Sequence, residues 1–186
     1  MSSSDLIRWG GLAAMLGGLA YLVSVLLGFL VSETTTTIVH FLADSFAVVP
    51  VLLILVGMVG FHTLQKANYG GMGRGGFYTV LVGLLAQVLG TISHLSGSEA
   101  LDWLVFPVGI VLMIAGLVLY GAATLQARVL PRWCGLSFIV VPPLVIVLEI
   151  SLEGFGEILL GLLWLALGYV LWSGRGTTAQ QPSRMR

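Results

Sequence analysis

The sequence predicts an all-α protein, a polytopic transmembrane helix bundle of six spans, and three observations carry that expectation. Of the 186 residues, 58% are hydrophobic and only 9% charged, whereas a soluble domain carries roughly 25% charged residues to wet its surface. Mean hydropathy is +1.04. The apolar residues gather into six continuous runs, each near the length of about 20 residues that crosses the roughly 30 Å hydrocarbon layer. Continuous runs disfavour a membrane barrel, whose strands alternate lipid-facing and lumen-facing residues. They leave the helix, which satisfies its own backbone in lipid.

The first run covers residues 9–31. It is too long for a signal-peptide core and no small-x-small cleavage site follows, so it reads as a retained span. The others cover 45–61, 77–93, 103–125, 133–150 and 158–172, giving one transmembrane domain over 1–172. Residues 173–186 turn to Gly, Thr, Gln, Ser and Arg and read as a disordered cytoplasmic tail. Short connections make neighbouring helices antiparallel. Pro50, Pro107 and the pair Pro142–Pro143 are expected to interrupt or kink the second, fourth and fifth spans. The glycine-rich stretch 70–76 lacks the Lys-Ser/Thr ending of a phosphate-binding loop and reads as a flexible connector.

Lys and Arg resist translocation and collect in cytoplasmic loops. With six spans, Arg8, Lys66, Arg74, Arg128, Arg132, Arg175, Arg184 and Arg186 all fall on one side, and of the acidic residues only Asp5 joins them. A wrong helix count would scramble this segregation. The expected location is therefore a bacterial cytoplasmic membrane with both termini cytoplasmic. Trp9, Tyr78, Trp133, Tyr169 and Trp172 fall at the inner headgroup level and Trp103 at the outer one. Trp164 lies near mid-membrane, where packing is the expected role.

An internal repeat of about 60 residues is hinted at by Arg8-Trp9-Gly10-Gly11, Arg74-Gly75-Gly76 and Arg132-Trp133-Cys134-Gly135. A shared Thr-Leu-Gln ending at 63–65 and 124–126 adds to it. Three repeated helical hairpins would follow. Small residues at Gly10, Ala14 and Gly18, and at Ala86 and Gly90, form stripes along which helix backbones can approach closely.

Counting along each span at about 1.5 Å per residue brings His40, Asp44, His94, Glu149 and Glu157 to a common depth at the outer boundary. His40, Asp44, His94 and Glu149 are the candidate metal ligands, since imidazole and carboxylate both coordinate divalent metals. The same groups would suit a proton or cation vestibule. Boundary and capping roles compete with both: Ser98, Glu99 and Asp102 resemble an N-cap and first-turn acids of the fourth helix. Glu153 sits in the last outer loop and His62 near an inner interface. Gln87 is the one amide near the middle of a span, suited to an interhelical hydrogen bond or a substrate contact. The single cysteine, Cys134, excludes an intrachain disulfide.

Leu-Tyr-Gly-Ala-Ala-Thr-Leu-Gln-Ala-Arg-Val-Leu-Pro-Arg-Trp-Cys-Gly, residues 119–135, resembles a feature of uncharacterised six-helix membrane proteins from actinobacteria and related lineages. There, a helix ends in a basic stretch followed by Leu-Pro-Arg-Trp and another helix. The resemblance implies a bacterial inner membrane and a bundle, and transfers no functional residues. No catalytic constellation or cofactor motif is present, and the loops are too short for a soluble domain. The leading expectation is a non-catalytic accessory or binding protein that packs with itself or a larger complex in the lipid bilayer, without nucleic acid. A small transporter or channel subunit with an outer His/carboxylate vestibule is the first alternative. A metal-dependent intramembrane enzyme is the second.

Overall fold

A computed structural model describes residues 3–30, 45–46, 48–96, 99–152 and 155–174, with the backbone alone at 30 and 99–103. Among these residues the chain forms α1 (Ser3–Leu30), α2 (Val48–Gln65), α3 (Gly71–Leu95), α4 (Glu99–Ala127), α5 (Arg132–Ser151) and α6 (Phe155–Trp172). All six are long and apolar enough to cross a membrane. Their outer faces suit lipid rather than water: Leu26, Phe29, Leu104, Val111 and Ile150 are between 61 and 83% exposed. His40, Asp44, Glu153 and the tail from Arg175 lie outside the described residues, as do the side chains of Glu99, Asp102 and Trp103.

Lipid gives helices no hydrophobic reason to associate, so close backbone packing must do it. The most extensive interface is between α3 and α4. Gly76, Gly83 and Gly90 recur at two-turn intervals on α3 and meet the α4 backbone at Gly116 and Tyr120, at Gly109 and Met113, and at Phe106. A Cβ on Gly83 would lie 2.4 Å from the Met113 amide nitrogen. α1 is gripped on two sides. Gly10 and Ala14 meet Gly60 and Gly57 of α2, while Gly11 and Gly18 meet Gly168 and Gly161 of α6. The small-residue stripe on α1 is thus used within the bundle, split between two partners. All these contacts run antiparallel. The chain therefore divides into two tightly packed units, α1–α2–α6 and α3–α4, with α5 lying on α4 and, less extensively, on α6. Of the three sequential hairpins, the third is opened in this way.

Alternating helix directions bring Arg8, Lys66, Arg74, Arg128 and Arg132 to one end of the bundle, called here the basic end. The half of the bundle nearest it is sealed by aromatic side chains. Phe138 of α5 is fully buried and meets Phe61 of α2, Tyr120 of α4 and Trp164 of α6, with ring centroids 5.7, 5.6 and 6.0 Å away in edge-on geometry. Edge-to-face pairs place the positive ring edge on the negative face, so one ring ties four helices together. Trp164 is 2% exposed, in keeping with a packing role.

One sequence expectation is revised. The stretch 70–76 is not a loose connector, because α3 begins at Gly71. Glycine weakens isolated helices, but here it is needed sterically. A Cβ on Gly73 would lie 2.4 Å from the Tyr69 ring, and one on Gly76 2.7 Å from the Tyr120 amide nitrogen. Pro50 lies near the start of the described α2 and is preceded by helical residues at 45–46. Pro107 and Pro142–Pro143 do lie inside α4 and α5.

Candidate functional site

The seam between the two helix units holds a cavity of about 350 Å³, within the usual range for small-molecule sites, roughly 300–1,000 Å³. Tyr21 of α1 together with Glu157 and Leu160 of α6 form one wall. Gln87 of α3 and Phe106, Ile110, Met113 and Ile114 of α4 form the facing wall. α5 closes the side with Pro142, Val145, Ile146, Glu149 and Ile150. All these positions lie in the half of the bundle away from the basic end. At about 1.5 Å per residue, the cavity runs from the helix boundary at Glu149 to about a dozen ångströms deeper at Gln87.

Glycine packing sets its polar groups. Gly109 has no side chain to keep the α4 backbone from the Gln87 amide nitrogen, which a Cβ there would approach to 3.0 Å. That proximity brings Met113 beside the Gln87 side chain, and Nε2 donates to its Sδ at 3.1 Å. A thioether is a weak acceptor. This is the one hydrogen bond the Gln87 side chain makes among the described residues, although the residue is only 6% exposed. At the other end, Gly156 allows the Glu149 carboxylate to fold over the start of α6. A Cβ at Gly156 would lie 2.8 Å from Glu149 Oε2. The adjacent residue, Glu157, lines the same chamber as Glu149 and Tyr21. On α5, Pro142 and Pro143 supply no backbone N–H, which removes the helical donors for the carbonyls of Phe138 and Ile139 below the cavity.

Of the residues singled out in the sequence, Gln87 and Glu149 come to one chamber, and Glu157 joins them. His94 is exposed at the end of α3 and does not line it. His40 and Asp44 lie outside the described residues, so of the four candidate ligands only His94 and Glu149 are placed, and of these two Glu149 lines the cavity. Among the described residues no group of three or more His, Cys, Asp or Glu side chains is placed to hold a metal ion.

A second polar group, at the basic end, was not legible as a unit. Gln65, the last residue of α2, is fully buried and donates from Nε2 to the Tyr120 hydroxyl at 3.0 Å. The Tyr69 and Tyr120 rings meet edge-on with centroids 5.8 Å apart, and the Tyr69 hydroxyl is hydrogen-bonded to His62 Nδ1. The His62 ring stacks on Phe77, with centroids 4.0 Å apart. Gln65 Oε1 is buried without a partner. Burial pushes the Tyr69 phenol up to about 12. The signal for this group was the Thr-Leu-Gln ending of α2, since a glutamine at an interface ordinarily turns to water.

Against known proteins, the chain matches no family model, no curated protein and no solved structure. The functional reading rests on its own geometry.

Proposed function

We propose that this membrane protein is a small-solute carrier of the cytoplasmic membrane, with both termini in the cytoplasm and the cavity as its solute chamber. One observation carries the reading: a small-molecule-sized cavity lies at the seam between two separately packed helix units, and not inside either. Carriers place their sites where two rigid halves meet, near interrupted helices, and Pro142 forms part of this wall. The aromatic seal around Phe138 lies between the chamber and the basic end. Positive residues gather on the cytoplasmic side, so the seal would close the inner path while the chamber serves the outer one. The accessory reading rests on the lack of a catalytic constellation and on loops too short for a soluble domain, and the cavity at the seam favours the carrier over it.

A single cysteine at Ile110, a cavity-lining position, tests this without knowing the solute. Native Cys134 is fully buried and provides the unlabelled background. A membrane-impermeant maleimide is expected to modify Ile110→Cys from outside intact cells and, in inverted vesicles, from the cytoplasmic face. Labelling from one face alone would mean a binding site that does not alternate. Labelling from neither would mean the chamber is never reached by water, and the carrier reading would fall.

A further inference from the structure

We infer that the groove between α1 and α6 at the basic end is a seat for one phospholipid, whose phosphate is held by Arg8. This seat is separate from the chamber and does not depend on the carrier reading. The groove encloses about 270 Å³ and is lined by Asp5, Arg8, Trp9 and Leu12 of α1 with Trp172 of α6. Residues 5, 8, 9 and 12 share one face of α1, because positions three and four apart on a helix are neighbours. Gly11 brings α6 to them. A Cβ there would lie 2.6 Å from the Trp172 amide nitrogen, so the missing side chain is what lets Trp172 join Trp9 in one groove. The lining is graded along α1. At about 1.5 Å per residue, Leu12 lies about 10 Å deeper in the bundle than Asp5, with Trp9 and Arg8 between them. A phospholipid in the surrounding leaflet presents its groups in the same order: acyl roots, glycerol esters, phosphate, then the terminal substituent. Leu12 is half-buried, while Trp9 and Trp172 are 60 and 45% exposed, a large indole surface for lipid to cover. Indoles settle at this level because the ring is apolar and its N–H donates. Arg8 offers a planar fork of N–H donors that matches two phosphate oxygens. Basic pockets between spans bind lipid headgroups in this way. At about 30 Å³ per water-sized group, 270 Å³ holds on the order of nine non-hydrogen atoms, the size of a phosphate with its glycerol. Asp5 has an interaction of its own and stands outermost, beyond the phosphate level, so it is no part of the phosphate cradle.

The test uses the full chain, delipidated in detergent, with native mass spectrometry counting bound lipid. The probes are dioleoylphosphatidylcholine, whose net-neutral headgroup limits general attraction to the basic end, and dioleoylglycerol, which has the same chains and no phosphate. One phosphatidylcholine per chain is expected to stay bound at concentrations where no dioleoylglycerol does. Arg8→Gln should weaken it roughly ten-fold or more, as expected for loss of a hydrogen bond to a charged group. Arg8 is exposed, and the variant should stay folded and monodisperse. Arg74→Gln, at the same end but outside the groove, should bind as the parent does. So should the tail variant Arg175→Gln/Arg184→Gln/Arg186→Gln. Equal retention of dioleoylglycerol would mean that the acyl chains alone are held. Equal weakening in Arg74→Gln or in the tail variant would mean a diffuse positive end and no seat. Equal weakening in Asp5→Asn would mean that the terminal substituent is read and not the phosphate. Displacement by millimolar inorganic phosphate would make the free ion the ligand. Each of these results, like the absence of any bound phosphatidylcholine, overturns the proposal.

Discussion

Adding one methyl group at Gly83 should separate α3 from α4 and cost the fold about as much as a large cavity-free core error. In the structure a Cβ there lies 2.4 Å from the Met113 nitrogen and 2.8 Å from both the Gly109 oxygen and the Met113 Cα. Every one of these is backbone, so no side chain can swing aside. Ordinary contact begins at 3.4 Å, and the helices must part by about 1 Å to reach it. A gap of that size forfeits roughly a quarter to a half of the dispersion well for each atom pair across it, each worth about 0.1–0.2 kcal/mol. Summed over the neighbouring turns, the loss falls in the range of roughly 1–3 kcal/mol seen when interiors are overfilled. Gly75, on the same helix, supplies the control, because a Cβ there meets nothing within 4 Å. Both alanines gain the same helix propensity, about 1 kcal/mol, so the difference between them isolates the seam. Unfolding in mixed micelles, followed by circular dichroism as denaturing detergent is titrated in, should put Gly83→Ala about 2 kcal/mol below Gly75→Ala. Stabilities within about 0.5 kcal/mol of each other would mean the α3–α4 contact is looser than drawn. Met113 and Gln87 would then not be fixed by it.

Other substitutions probe the basic end. Tyr120→Phe removes the acceptor of a fully buried Gln65 amide and should cost about 1–3 kcal/mol. Adding Gln65→Met removes the stranded amide as well and should recover part of that, as a double-mutant cycle in the same unfolding assay would read. Phe138→Ala empties the junction of four helices and should cost about 3–5 kcal/mol, the largest loss of any single replacement named here. The Tyr69 phenol stands at about 12 when folded against 10.0 when free. The unfolded chain therefore releases this proton first as pH rises, and stability should fall between pH 10 and about 12. Below pH 10 the group is neutral in both states and contributes no slope, and Tyr69→Phe should flatten the alkaline limb.

The six helices were legible because a lipid span imposes length and continuity, both of which are read directly along a chain. Their ends were less so. Glycine at 73 and 76 resists helix formation in isolation, and only the nearness of Tyr69 and Tyr120 makes it the residue that fits there. Depth counting placed His94 and Glu149 at one level, and level is all it can give. Whether a side chain enters the chamber depends on the rotation of its helix, which the glycine contacts set. Glu149 is turned inward over Gly156, while His94 points elsewhere. Gln87 was found because an amide in mid-span has few uses. Tyr21 and Glu157 went unpaired because they belong to helices far apart in the chain. Gln65 and Tyr120 escaped for the same reason, being 55 residues apart.

Arg128 closes α4 with φ 53°, a left-handed pose that an L-residue adopts at a cost of roughly 1–2 kcal/mol and a glycine adopts freely. The finished bundle would therefore be more relaxed with glycine there. What an arginine supplies at that bend is a fixed positive mark between two long greasy helices, legible to the insertion machinery before any helix has met its neighbour.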